Sequence, residues 1–343
     1  MISRLPPVLG LGCVLACVLA GCGAGGSSAP APHAEACRPV TPGERVAIPA
    51  GAYVIGGPVR NPEERPERTV TTPGFDIDAH EVTNAQFAAF VAATGYVTIA
   101  ERQPDPADYP DIDPALLEPG SAVFGVDAGT GYWWRFVPGA SWRHPEGPGS
   151  DIEGRGSYPV VHVAYADARA YADWAGTDLP DEDEWEIAAR GGGHGTDYAW
   201  GEEFRPGGDW RANTWQGVFP VIDRGDDGFA GLSPVACYDA NPFGAFDMIG
   251  NVWEWTSDWY GQPRLERKSR GSCCVPANPR GATKRESLDP AAPDIAIPRK
   301  VLKGGSHLCA ANYCQRYRPA ARHAQAIDSS TSHIGFRCIS RTP

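Results

Sequence analysis

The segment GGSHLCAANYCQRYRPAAR, residues 304–322, sets Cys309 and Cys314 five positions apart among glycine, tyrosine and arginine. Two thiols this close could form a disulfide, half a zinc site, a redox pair or a soft-metal site. Zinc takes four ligands, usually in paired C-x2-C or H-x3-H spacings, and no second pair lies nearby. Thioredoxin-type chemistry uses C-x2-C at a helix start, whereas this spacing is C-x4-C. A structural disulfide and a two-coordinate Cu(I) thiolate site both remain, since the latter needs only two converging soft ligands. Spacing alone does not choose between them.

The other cysteines bear on the compartment. The chain has ten in 343 residues. Its first stretch, MISRLPPVLGLGCVLACVLAGC, has one arginine, a short apolar run and then Leu19-Ala20-Gly21-Cys22. Small residues ahead of a cysteine are what a lipoprotein signal peptidase cuts after, and the run is too short and wrongly flanked for a spanning helix. This predicts a signal peptide over 1–21, a lipid on Cys22 and export as a membrane-anchored lipoprotein on the periplasmic or extracytoplasmic face. Residues 22–40, rich in Gly, Ser, Ala and Pro, read as a flexible tether, and 41–343 as one domain. Removing Cys13 and Cys17 with the signal leaves Cys37, Cys237, Cys273, Cys274, Cys309, Cys314 and Cys338 beside Cys22. Seven is odd, so in an oxidising compartment at least one thiol is unpaired. The pairs are not assignable from sequence.

Positioning the 309–314 pair falls to a loop-rich domain. Gly (41) and Pro (33) are abundant, and long helical periodicity is scarce. Three helices are expected: AQFAAFVAATG capped at Thr83-Asn84 with Phe87, Phe90 and Val91 on one face; ARAYADWAG after Ala166-Asp167; and EDEWEIAARGG capped by Asp181. PVVHVAY and VLKGGS read as strands. The sum is an irregular α+β fold with little regular structure. A formal net charge of −12 excludes the basic face of a nucleic-acid binder.

The residues around the pair carry a resemblance. The run KGGSHLCAANYCQRYRPAARHAQAIDSSTSHIGFRC, 303–338, closely resembles the C-terminal active-site region of the formylglycine-generating enzymes, the sulfatase-modifying factors. That family has GGS, C-x4-C with tyrosine before the second cysteine, RYR-x-AAR, DSS and GFRC in this order. Further matches include HEVTNAQF at 80–87, LPDEDEWEIAARGG at 179–192, RANTWQGVFP at 211–220 and GNVWEWTSDWY at 250–260. The resemblance spans about 45–340.

The resemblance implies a single compact domain distantly related to the C-type lectin fold. It implies a monomeric oxidase that uses O2 to convert the cysteine of C-x-P-x-R in an unfolded sulfatase polypeptide to Cα-formylglycine. It makes Cys309 and Cys314 the Cu(I) ligands. The substrate thiolate would add as a third ligand, hydrogen would leave its Cβ, and hydrolysis of the thioaldehyde would give the aldehyde. Ser306, Trp253 and Tyr313 match family residues lining that site. It further implies two structural Ca²⁺ sites, one at Asn213, Thr214, Asp227 and Phe229, the other at Asp247, Gly250, Val252 and Glu254. Hard oxygen donors on loops suit Ca²⁺, though DDG at 226–228 also reads as a simple turn.

The chain departs from the family pattern in places. Ala172, Ala189 and Pro319 stand where eukaryotic relatives have disulfide cysteines, which leaves Cys338 to find another partner or stay free. Ala310 replaces a histidine and Asn312 a serine, so the rim meeting the substrate is expected to differ. Three other readings compete. A non-catalytic binding module on the same fold would need neither cysteine. An iron sulfoxide synthase would need an H-x3-H-x-E motif, which is missing. A plain disulfide-stapled lipoprotein would have no activity.

Overall fold

The computed structural model describes residues 37–109, 113–114, 117–126, 131–261 and 281–341. Cys22, the expected signal and most of the tether lie outside these residues, as do Cys273 and Cys274. In chain order the first elements are β1 (Arg45–Ile48), β2 (Gly51–Ile55), β3 (Arg68–Thr72), β4 (Phe75–Asp78) and α1 (Asn84–Thr94). Then come β5 (Gly120–Phe124), β6 (Trp134–Pro138), α2 (Tyr165–Trp174), α3 (Glu182–Arg190), β7 (Gly217–Val218) and β8 (Ile222–Asp223). The last are β9 (Trp253–Trp259), β10 (Arg299–Lys303), β11 (His323–Ala326), β12 (Ile334–Gly335) and β13 (Ile339–Arg341). The irregular α+β expectation holds.

All three expected helices form, though α2 begins at Tyr165, ahead of the Ala166-Asp167 pair expected to lead into it. Thr83 caps α1 in a reciprocal box with Gln86, and Gly95 closes it in the left-handed region at φ 69°. Asp181 caps α3 by accepting from Glu184 N, with three acids in the first turn and Arg190 in the last. At α2 the Asp167 carboxylate reaches back to Ala164 N at 2.8 Å. Phe87 is the hub of an aromatic core, stacked on Tyr171 and edge-on to Phe90, Trp142 and Phe336.

The sheets are small. A four-stranded sheet runs β11-β10-β9-β12, and a three-stranded one β1-β4-β13; three hairpins, β2-β3, β5-β6 and β7-β8, complete the set. VLK of VLKGGS lies in β10, as expected. PVVHVAY is not a strand. Val160, Val161 and Val163 are buried, but His162 takes φ 57°, which breaks the pleat. Its backbone bonds go to separate segments: Val160 N donates to Val82 O and His162 N to Thr331 O. The run is apolar because it threads the core, not because it pairs.

The domain starts earlier than composition suggested. Cys37, placed in the tether by its neighbours' composition, is disulfide-bonded to Cys237, and Arg38 N donates to Ala236 O. Cys338 is a free, buried thiol in the same core cluster as Ala172.

Candidate active site

Strand β10 delivers the chain to Gly304 and Gly305, both at positive φ. A Cβ on Gly305 would sit 2.9 Å from Tyr317 Cα, so the loop that leaves β10 closes against its own return only with glycine there. Inside the loop Ser306 O accepts from Cys309 N at 2.9 Å, and Ser306 Oγ accepts from Leu308 N at 3.2 Å. A second turn brings Cys314 N onto Ala310 O at 2.9 Å. These two turns aim both side chains inward, and the two Sγ atoms come to 2.9 Å.

The thiols are unequal. Cys309 is 2% exposed, while Cys314 is partly open. The hydrogen bond from Cys309 pulls Cys314 down to about 6, and the neighbouring Arg316 guanidinium adds to the effect. Burial, together with that neighbouring sulfur, pushes the Cys309 thiol well above its ordinary value. Of the two, Cys314 is the more readily deprotonated. Cys309 and Cys314 would hold a soft ion between them, with Cys309 the buried ligand and Cys314 the one nearer solvent. Two soft ligands, with no third His, Cys, Asp or Glu converging among the described residues, suit Cu(I) and not zinc.

The expected neighbours divide. Ser306 is fully buried and shapes the turn. Trp253, on β9, is 3% exposed, shares the core cluster with Cys309 and Cys314, and tilts against His323 at 5.5 Å between ring centroids. Tyr313 is 57% exposed, so it is a rim residue and not a core ring. It stacks on Phe219 at 4.3 Å and 9°, with Trp133 edge-on at 5.7 Å. Phe219 follows β7, which is tied to the cysteine loop by Trp215 N donating to Cys309 O at 3.2 Å. Of the two departures from the family pattern, Asn312 is exposed at the rim, while Ala310 is buried in a bridge with Trp215 and packs beneath Phe219 and Trp133.

The two expected calcium loops meet back to back. Gly250, at φ 85°, lies so close to Asn213 that a Cβ would sit 2.2 Å from Asn213 O. Asn251 N also donates to that oxygen at 2.9 Å. At the first loop, Asn213 Oδ1 and Thr214 Oγ1 are buried without a partner. Asp227 accepts from Thr214 N and Phe229 N, and burial pushes it up to about 6. Orphaned buried oxygens beside a carboxylate strained by burial fit a hard cation. At the second loop Glu254 accepts from Arg337 Nε at 2.7 Å, Arg337 Nη2 at 2.8 Å and Trp185 Nε1 at 2.7 Å. Asp247 accepts from Ala236 N at 2.6 Å, and burial raises it to about 6. A cation there would have to share Glu254 with Arg337, so this loop is the poorer fit.

Sequence reasoning missed Glu63, Phe219 and Trp133. Phe219 and Trp133 sit in loops with no periodicity to flag them. Glu63 belongs to an acid-rich turn, NPEERPE, that reads as a solvated surface.

Comparison with known proteins fits this geometry. The sulfatase-modifying factor enzyme 1-like domain matches residues 31–342. A formylglycine-generating enzyme of Mycobacterium tuberculosis is 52% identical over 303 residues, covering 86% of this chain and 97% of that protein. The enzyme of the same name from Thermomonospora curvata is 47% identical, with 85% and 92% covered, and that of Mus musculus 41%, with 88% and 76% covered. A mouse protein named as an inactive Cα-formylglycine-generating enzyme 2 is 38% identical. Among solved structures, PvdO from Pseudomonas aeruginosa shares the fold at TM-score 0.55 and 22% identity, over 89% of this chain and all of that one. The matching fold, the profile that covers nearly all of the domain and the relatives above 40% identity agree: the chain belongs to the formylglycine-generating enzyme family.

Proposed function

We propose that this protein is a copper-dependent oxidase that converts the cysteine of a sulfatase C-x-P-x-R segment to Cα-formylglycine with O2. The observation that carries the reading is the convergence of Cys309 and Cys314 to 2.9 Å beneath an exposed aromatic rim. Cys309 and Cys314 would hold the Cu(I), whose role is to couple substrate oxidation to O2. The chain's own residues do the rest. The Cys314 thiolate is available near neutral pH, and the buried Cys309 fixes one ligand where solvent and free thiols do not reach. Tyr313, stacked on Phe219, offers a flat apolar face to an extended peptide at the mouth of the site. Ser306 and Trp253 hold the shape of the oxygen-facing wall. An unfolded chain suits a rim of this kind, because the target cysteine must reach Sγ atoms set below the surface.

Calcium at the Asn213, Thr214, Asp227 and Phe229 loop, and more weakly at Asp247, Gly250, Val252 and Glu254, would pin segments that carry few regular elements. Lipid on Cys22 would hold the enzyme as a monomer on the outer face of the membrane, where it meets exported sulfatases before they fold. The Cys37–Cys237 disulfide supports an oxidising compartment. No observation favours the non-catalytic binding module, which has no use for a converging thiol pair.

The test is mass spectrometry of a synthetic C-x-P-x-R peptide incubated aerobically with the enzyme, Cu(I) and a thiol reductant, with Cys309→Ala alongside. The expected result is a copper-dependent mass change matching exchange of the thiol for a carbonyl oxygen, absent in the variant. An unchanged peptide with copper bound would overturn the substrate class. Failure to bind copper would overturn the oxidase reading itself.

A further inference from the structure

The loop between β2 and β3 grips the catalytic segment three times. Glu63 Oε1 accepts from Arg316 Nε at 2.7 Å and lies 2.7 Å from Arg316 Nη2. Glu64 pairs with Arg318. The Glu63 carbonyl accepts from Arg322 Nη1 at 3.1 Å. Arg318 and Arg322 are buried, and their bonds are structural ties. Arg316 is different. Its side chain is 28% exposed, it follows Cys314 by two residues, and its charge acts on that thiol.

We propose that Glu63 is a positioning residue: it holds Arg316 as the counter-cation of the Cys309–Cys314 pair and so sets how tightly that pair binds Cu(I). The proposal rests on the copper reading above. Two thiolates around one Cu(I) carry a net negative charge, and Cys309 lies where water cannot solvate it. A buried charge needs a fixed partner. Arg316 is the cation whose charge acts on both thiols, and a guanidinium presents five N–H groups in a rigid plane. Nε and Nη2 are spent on Glu63, which fixes the plane and with it the position of the charge. A lysine, with one compact ammonium, cannot be held in a fixed plane in this way. Without Glu63 a partly exposed arginine regains its rotamer freedom and its place beside Cys314 is no longer enforced.

The opposite electrostatic case gives the opposite sign. If Glu63 did no more than cancel the Arg316 charge, removing its carboxylate would expose the pair to a stronger cation and tighten copper binding. The two cases are separated by measuring Cu(I) affinity anaerobically, by competition with a chromophoric Cu(I) chelator, on the full chain and its variants. Glu63→Gln is expected to weaken binding about fivefold and Arg316→Met about tenfold or more, the scale of a charge-assisted hydrogen bond. Arg316→Lys should restore little. Glu63→Gln should keep the wild-type Tm, and Arg341→Gln, which breaks exposed pairs with Glu184 and Asp178 away from the site, should keep wild-type affinity. Equal or tighter binding in Glu63→Gln, or full affinity in Arg316→Lys, overturns the positioning role while leaving the copper site standing. A wild-type chain that binds no Cu(I) overturns the copper reading, and this inference with it.

Discussion

Replacing Arg337 by methionine isolates a heavily loaded buried charge. Arg337 is 0% exposed. It donates twice to Glu254, once to Asp78 O at 3.2 Å and once to Phe246 O at 3.0 Å. Three carboxyls crowd around it: Glu254, Asp247 and Glu81. Burial, and then the Asp247 charge, push Glu81 well above the carboxylate range. Asp247 and Glu254 face the same guanidinium. Methionine fills the space but strands both anions and two backbone carbonyls. Removing one partner of a buried pair costs about 3–5 kcal/mol, and the excess of acid over base here puts the expectation near 4. At about 2–4 °C per kcal/mol, Tm should fall by about 10 °C.

Glu254→Gln makes the reasoning testable. It leaves Arg337 with Asp247 beside it, so the surviving cation is still compensated. Its cost should be about 1–2 kcal/mol, well below that of Arg337→Met. Urea unfolding at pH 7, followed by tryptophan fluorescence, measures both. The Arg337→Met deficit should also shrink as pH falls through about 6. Asp247 has its folded value raised to about 6, so it takes up a proton there in the folded state before the unfolded chain does. Equal costs for the two variants, or a deficit under about 1 kcal/mol for Arg337→Met, would show that the three acids do not depend on one arginine.

Two further outcomes are expected. Calcium in the millimolar range should raise Tm over EDTA, by up to about 2.7 kcal/mol of stability at a hundredfold excess over Kd, and Asn213→Ala should remove much of the gain. Identical melting with calcium and EDTA would remove calcium from both loops. Acid should weaken the fold through His162, which lies buried between Ser121 Oγ and Pro145 O and is held down to about 4 by burial. A depressed folded value means its contribution is present above about 6.5 and lost as pH falls toward 4. His162→Asn, which tolerates the positive φ, should lose about 2 kcal/mol less than wild type between pH 7 and 4.5. An equal loss in both would place the acid lability elsewhere.

What could be read from the sequence was what short-range chemistry dictates. Caps at Thr83 and Asp181 announce their helices because a side-chain oxygen three residues from an amide is a local event. The 309–314 pair was legible for the same reason: both thiols belong to one loop, and that loop's turns are written in the glycines before it. PVVHVAY misled because an alternating apolar run carries no mark of the single left-handed residue, His162, that breaks it. The tether boundary misled because Gly/Ser/Pro composition describes a chain without contacts, and one disulfide to Cys237 overrides it. Glu63 was invisible for a deeper reason. Its partner Arg316 lies 253 positions away. Nothing in an acidic turn distinguishes a carboxylate facing water from one facing a guanidinium two residues beyond Cys314. In a fold with little regular structure, such ties have no periodicity to betray them. The reactive atoms were therefore legible, while the groups that hold them in place emerged only with the fold.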